Sequence, residues 1–231
     1  LTGTSIMFIG HFAVGFAAKR AAPKVSLGVL IGAAAILDVL WPVFLLLGWE
    51  RVRIEPGNTA VTPLAFDSYP FSHSLLAALG WSVLCGSLYW AIRRDRRGAG
   101  IVMALVLSHW LLDALSHRPD LPLTLTGATR VGLGLWNSVP ATLVVEGAMF
   151  AAGVWLYATF TRTKDRVGRW SFVVFVAVLP LLYLASVFGP PPPDWRTIAW
   201  TDLSAVIFAL WPAWFDRHRV VSPQPSERCL R

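Results

Sequence analysis

The sequence has 231 residues, of which 55% are hydrophobic. Charged residues make up only 14%, against about a quarter in soluble domains, which excludes an ordinary soluble protein and predicts an integral membrane protein. The net charge of +7 does not indicate nucleic-acid binding, because the basic residues stand in short clusters between apolar runs. Two cysteines, Cys85 and Cys229, are too few for a disulfide framework or a thiolate metal site.

Seven apolar segments follow one another along the chain. They predict an all-α fold, a polytopic membrane bundle of about seven transmembrane or half-inserted helices. The first segment is shorter than the roughly 20 residues that cross a bilayer, so it is expected to be half-inserted. Residues 1–219 are predicted to form one membrane domain, and residues 220–231 a disordered cytoplasmic tail. The segments lie near residues 4–18, 25–48, 71–92, 98–117, 138–160, 170–189 and 197–215.

Basic residues concentrate in alternate loops, which the positive-inside rule places in the cytoplasm. The intervening loops 49–70, 118–137 and 190–193 are mixed or nearly neutral in charge, and are predicted to face outward. The N-terminus is therefore expected outside and the C-terminus in the cytoplasm. The basic clusters are Lys19, Arg20 and Lys24; Arg93, Arg94, Arg96 and Arg97; Arg162, Lys164, Arg166 and Arg169; and Arg217 and Arg219.

Ionisable side chains inside apolar segments are costly to bury, so each is a candidate functional residue. At a helical rise of about 1.5 Å per residue, those of this chain fall within about 15 Å of the predicted outer surface. Imidazoles and carboxylates are ligands for zinc, manganese or iron, and a divalent cation offsets the burial of the carboxylates. The predicted ligands are His11, Asp38, His73, His109, Asp113 and His117, with Glu146 beside them to orient a ligand.

The stretch HWLLDALSH is the densest part of this pattern. His109, Asp113 and His117 are spaced by four residues, so on one helix they cover about 80° of its surface. Each candidate also has another interpretation on its own: an interhelical hydrogen bond for His11, for instance, or a helix C-terminal cation for His117. Asp67 and Asp202 are expected to be solvated groups in loops or at the membrane interface, and His218 is expected to be solvated on the cytoplasmic side.

Four motifs, GHFAVG, LDVLWP, SHS and HWLLDALSHRPD, together resemble the bacterial inner-membrane family of membrane-bound metal-dependent hydrolases, also called LexA-binding or YdjM-like. The resemblance runs from Phe8 to Asp120. It implies an inner-membrane location and a distant similarity to zinc-dependent phospholipase C and S1/P1-type nucleases. The sequence departs from the family pattern after Asp38, where a second Asp and a His often follow, so the number of metal ions stays open. The family's pattern falls here on His11, Asp38, His73, His109 and Asp113.

The predicted function is hydrolysis of an ester or phosphoester by water that a divalent metal ion, most often zinc, activates. The substrate is expected to be lipid-linked, because the predicted site lies near the outer leaflet. Asp38 or Asp113 would be the general base. Arg118 and Arg130 would hold a phosphate, and loop 118–137 would lie over the site. The sequence contains no GxSxG motif, so it gives no indication of covalent catalysis by a serine nucleophile.

Two alternatives remain open from the sequence. Buried His and Asp residues also form proton or cation pathways, and Pro180 would kink the sixth segment as in transporters. Against transport, the polar residues stop halfway across the membrane and no inverted repeat is visible. The other alternative is a non-catalytic membrane protein whose metal is structural. The sequence predicts no nucleic-acid partner and leaves the oligomeric state undetermined.

Overall fold

The computed structural model of the chain describes residues 9–222 as a helical bundle with three short strand pairs. Residues 1–8, where the first predicted segment begins, and residues 223–231 of the predicted tail lie outside the described residues. The helices are α1 (Ile9–Ala21), α2 (Leu27–Ala34), α3 (Ile36–Leu46), α4 (Pro70–His73), α5 (Leu75–Arg93), α6 (Arg96–Ser116), α7 (Val139–Phe160), α8 (Arg166–Phe188), α9 (Trp195–Ser204) and α10 (Ile207–Arg217).

Five helices of the described part are long and apolar enough to cross a membrane. They are α5, α6, α7, α8 and the run Trp195–Arg217 that joins α9 and α10. A sixth crossing is counted if α2 and α3, which meet at an angle of 54°, form one span. The prediction of a helical membrane protein is thereby confirmed, while seven spans stay a prediction because α1 has only 13 described residues.

Polar N-caps explain where several helices begin. The side chains of Ser74, Asp95, Ser138 and Asp165 each accept a hydrogen bond from a backbone N–H in the first turn of α5, α6, α7 and α8. Between α5 and α6, Arg94 adopts a left-handed conformation with φ of 54°, which reverses the chain. The two helices therefore pack as an antiparallel hairpin.

Small residues let α1 and α2 approach their neighbours closely. A Cβ on Gly153 of α7 would overlap the backbone of Ala13 in α1. A Cβ on Gly28 of α2 would likewise overlap Ala213 and the backbone carbonyl of Ala209 in α10. Helix α1 thus lies at the centre of the bundle, held between α7 and α2.

A buried polar group joins four helices at the end of the bundle where α1 finishes. Lys19 Nζ lies 2.6 Å from Asp216 Oδ2, which also accepts the backbone N–H of Leu27 at 2.9 Å. The Tyr157 hydroxyl donates to Asp216 Oδ1 at 2.8 Å. One carboxylate therefore connects α1, α2, α7 and α10.

The sequence pattern did not predict the strands. At the end of the bundle where α6 finishes, β1 (Arg51–Ile54) pairs with β2 (Leu64–Ser68), and β3 (Leu121–Pro122) pairs with β4 (Arg130–Val131). At the opposite end β5 (Thr161–Thr163) pairs with β6 (Arg219–Val221). Val220 and Val221, assigned by the prediction to a disordered tail, thus belong to a strand because β5 offers them a pairing edge.

Candidate metal centre

Five of the predicted ligands converge in the structure, although they come from four helices. His11 lies in the first turn of α1 and Asp38 in the first turn of α3. His73 ends the single turn of α4, and the last turns of α6 carry His109 and Asp113. The imidazoles and Asp113 are buried, whereas the side chain of Asp38 is 38% exposed.

The ligand atoms of these residues surround a common volume. His109 Nε2 lies 3.2 Å from Asp113 Oδ2 and 3.4 Å from Asp38 Oδ1. His73 Nε2 lies 3.6 Å from each of the same two oxygens. On the far side, His11 Nε2 lies 3.2 Å from Asp113 Oδ1, and the His11 ring stacks on that of His109 with centroids 3.7 Å apart.

The ligand atoms form two overlapping groups of three. His11, His109 and Asp113 bring one atom each to within 4.8 Å of one another, and so do Asp38, His73 and His109. His109 belongs to both groups. The arrangement can therefore hold one ion near His109 or two adjacent ions, and the residues leave both possibilities open.

Hydrogen bonds outside the cluster determine which nitrogen of His109 carries a proton. Its Nδ1 lies 2.7 Å from the backbone carbonyl of Ala34, the last residue of α2. A carbonyl can only accept, so Nδ1 donates its N–H there. The other nitrogen, Nε2, is then left with a lone pair directed at Asp38 and Asp113.

A serine and a glutamate determine in the same way which nitrogen of His73 carries a proton. The Ser72 hydroxyl lies 2.7 Å from Glu50 Oε2 and donates its proton to that carboxylate. Ser72 Oγ is also 2.7 Å from His73 Nδ1, so it accepts the Nδ1–H of the imidazole. The Nε2 lone pair of His73 consequently faces the two aspartates.

These residues fit a divalent cation. Ligand atoms bound tetrahedrally to zinc at about 2.0–2.1 Å are about 3.3 Å apart, close to the observed separations of 3.2–3.6 Å. His109 Nε2 and Asp113 Oδ2 are buried and make no hydrogen bond within residues 9–222. A lone pair facing a carboxylate is repulsive unless a positive charge lies between them.

Sequence reasoning missed Glu50, which is buried in the loop between α3 and β1. Its Oε1 accepts the backbone N–H groups of Phe71 and Ser72, each at 2.8 Å, so it caps the short helix that carries His73. Burial raises the pKa of the Glu50 carboxyl. No spacing rule connects position 50 with position 73, because the contact depends on how the loop folds back.

His117 does not join the cluster. Helix α6 ends at Ser116, and His117 has an extended backbone with ψ of 146°, so the four-residue spacing no longer places it on the helix face. Its Nδ1 lies 3.0 Å from Asp120 Oδ1, and its ring packs 4.5 Å from that of Trp136. His117 therefore lines the neighbouring cavity, away from the ligand atoms.

Glu146 is buried in α7 close to the cluster. Its carboxylate faces the Tyr183 hydroxyl, the Trp136 indole N–H and the backbone N–H of Ile9. No contact shows it orienting one of the imidazoles, so that role stays a prediction.

Arg118 and Arg130, the predicted phosphate-binding residues, point elsewhere. Arg118 donates to the side chain of Asn58, and Arg130 donates to the backbone carbonyl of Asp67 at 3.0 Å. Neither lines the cavity beside the cluster. The loop that carries them does fold back on the end of α6, where the N–H of Gly134 bonds to the carbonyl of His117 at 2.7 Å.

Asp202 was expected to be solvated, and this expectation is wrong. It is half-buried in α9 and lines the cavity beside the cluster, close enough to interact electrostatically with Asp38. Helix α9 packs against α3, which brings the two aspartates to the same cavity. The sequence placed Asp202 near a segment end without showing which side of the helix faces inward.

No protein-family model, curated protein or solved structure matches the chain. The family resemblance of the four motifs therefore stays a prediction, and the functional argument depends on the site itself.

Proposed function

We propose that the chain is a membrane-embedded metal-dependent hydrolase acting on an ester or phosphoester at its outward-facing end. One observation carries the proposal: two imidazoles whose Nδ1 protons are committed elsewhere direct their Nε2 lone pairs at two carboxylates. A proton placed on His109 could form a hydrogen bond to one carboxylate at a time. A divalent cation interacts with all of the converging atoms together, which favours a metal.

The two aspartates differ in ways that suit different roles. Asp113 is buried between His11 and His109 and is suited to holding the cation. The half-exposed Asp38 borders the cavity and can accept a proton from water, as a general base does. A divalent cation such as zinc, when bound, supplies electrophilic polarisation of a substrate oxygen and lowers the pKa of water.

The membrane arrangement supports a site on the outward side. His109 and Asp113 lie near the end of α6, whereas Arg96 and Arg97 open the same helix, about 20 Å away at 1.5 Å per residue. Under the positive-inside rule those arginines are cytoplasmic. We therefore place the site near the outer leaflet of a bacterial inner membrane, with α1 half-inserted beside it.

Transport gains no comparable support. The polar residues at the other end of the bundle, Lys19, Tyr157 and Asp216, bond to one another. They form a closed group and do not continue a path from the cluster through the bundle.

Elemental analysis of the purified, detergent-solubilised protein tests the metal. We expect at least one zinc, manganese or iron ion per chain, lost in His109→Ala together with hydrolysis of a panel of esters and phosphoesters. His218→Ala is the matched control, because His218 lies at the opposite end of the bundle and pairs with Asp165. A wild-type protein that folds but binds no such ion would contradict the proposal. Metal binding that raises the melting temperature, with no substrate cleaved, would favour a structural metal.

A further inference from the structure

The cavity beside the metal cluster has two unlike walls. His11, Asp38, His73 and Asp113 border its polar side. Another side is apolar and is formed by α2 and α3 facing α10 and the two residues before it, while α9 contributes Asp202. The small residues of this apolar side are Gly32, Ala35, Val39, Ala205, Val206 and Ala209.

The apolar side exists because α2 and α10 diverge. At Gly28 the two helices touch, and no Cβ would fit there. One turn later, a Cβ on Gly32 would stand 3.6 Å from the Ala209 side chain, an ordinary contact that leaves the space next to it open. Both walls are also interrupted, since α2 ends before Ala35 and α9 ends before Ala205. A wedge-shaped gap therefore opens between the helices.

The gap opens toward the bilayer. Val206, which lines the gap, exposes 46% of its surface, and its chain neighbour Ile207 exposes 55%. They belong to the run Trp195–Arg217, which is long and apolar enough to span the membrane. From Asp202, beside the cluster, to Ala209 the wall extends about 10 Å at 1.5 Å per residue, toward the middle of the bilayer.

The charges of the cavity discriminate between substrates. Within the described part of the chain, no lysine or arginine lines it, whereas Asp38, Asp113 and Asp202 do. One divalent cation would be balanced by Asp38 and Asp113 alone. With one ion bound, no net positive charge would then remain on these groups to attract a phosphate dianion.

We propose that the cavity accepts a neutral carboxylic ester of a long acyl chain, with the ester at the metal cluster and the chain in the gap between α2–α3 and α9–α10. Hydrolysis would join the water oxygen to the carbonyl carbon and break the bond from that carbon to the ester oxygen. The departing alkoxide would take up a proton from the water, giving a fatty acid and an alcohol. The hydrolytic part rests on the proposed function, but binding of the chain does not.

Chain-length selectivity tests the substrate class. In lipid nanodiscs we expect p-nitrophenyl palmitate to be hydrolysed with a higher kcat/KM than p-nitrophenyl butyrate, and p-nitrophenyl phosphate not to be cleaved. Ala209→Phe and Val206→Trp fill the gap, and should lower kcat/KM for palmitate by about tenfold or more while changing that for butyrate little. Leu210→Phe is the matched control, because Leu210 neighbours Ala209 on the outer surface.

Two results would overturn this assignment. One is cleavage of the phosphate in preference to either ester. The other is a palmitate-to-butyrate ratio that both filled variants leave unchanged while remaining folded.

Photolabelling separates chain binding from catalysis. A fatty acid with a diazirine near its methyl end should label residues 205–213, and excess palmitate should compete. Ala209→Phe should abolish this competed labelling, and Leu210→Phe should not. Specific labelling without hydrolysis of any ester would support chain binding and contradict the proposed function. Hydrolysis of butyrate without competed labelling in the gap would support the function and overturn the chain site.

Discussion

Single hydrogen bonds outside the cluster determine what the imidazoles can do. Ala34 and Ser72 each accept an Nδ1–H, so the Nε2 lone pairs of His109 and His73 face the cluster and could bind a metal ion. Neither acceptor is recognisable from the sequence, because a backbone carbonyl carries no signature and serines are common. The residue types of the site could be predicted, but not the proton positions that make them ligands.

Replacing Glu50 tests directly whether these outer hydrogen bonds determine which nitrogen of His73 carries the proton. In Glu50→Gln, the side-chain amide would donate to Ser72 Oγ, and the serine would turn its own proton toward His73 Nδ1. The imidazole proton would then move to Nε2, where a ligand is needed. We expect the dissociation constant for zinc to rise by about 10- to 100-fold, measured by competition with a chelator. Glu55→Gln, an exposed carboxylate of the same loop region, should leave it unchanged, and an equal effect of both variants would refute the relay.

Among the helices, close crossings and breaks position the site more than helix length does. Helix α1 brings His11 to the cluster because Gly153 lets α7 approach its backbone. Helix α6 brings His109 and Asp113 together through the four-residue spacing, as predicted, and then ends one residue before His117. The spacing thus predicted the neighbouring pair and failed at the helix end, where the chain turns into β3.

Two glycines of α7 provide a matched test of the crossing. A Cβ on Gly153 would overlap Ala13, whereas a Cβ on Gly147 meets nothing within 4 Å. We expect Gly153→Ala to lower the melting temperature and to weaken metal binding, because α1 must move away. Gly147→Ala should keep both, or stabilise the helix by up to about 1 kcal/mol. Equal melting temperatures of the two variants would show that the crossing is not close in the membrane.

The molecule as a whole separates its charges along the bundle axis. The clusters around Lys19 and Arg162 lie at the end held by Asp216, where β5 and β6 pair. The candidate metal cluster and the β1–β2 pair lie at the other end. Under the positive-inside rule, this separation supports the proposed position of the site outside the cytoplasm.

Cysteine labelling in intact cells measures this orientation. In a background with Cys85 and Cys229 replaced by serine, Glu55→Cys should react with a membrane-impermeant maleimide without permeabilisation. Arg162→Cys, at the opposite end, should react only after the membrane is opened. The reverse pattern would put the site on the cytoplasmic side and remove the outer leaflet as a source of substrate.

The membrane character, most of the helices and the pair His109 and Asp113 follow from local features, because hydropathy and four-residue spacing are properties of contiguous segments. His11, Asp38 and His73 could be grouped with the pair on α6, because burying several ionisable groups in a membrane is costly and one shared site would account for all of them. Four features depend on residues far apart in the chain. They are the hydrogen bond from Ser72 to Glu50, the position of Asp202 on the cavity side of α9, the position of His117 outside the cluster, and the apolar gap. They arise from loops folding back and from helices crossing at glycines, so they exist only once the whole bundle has packed.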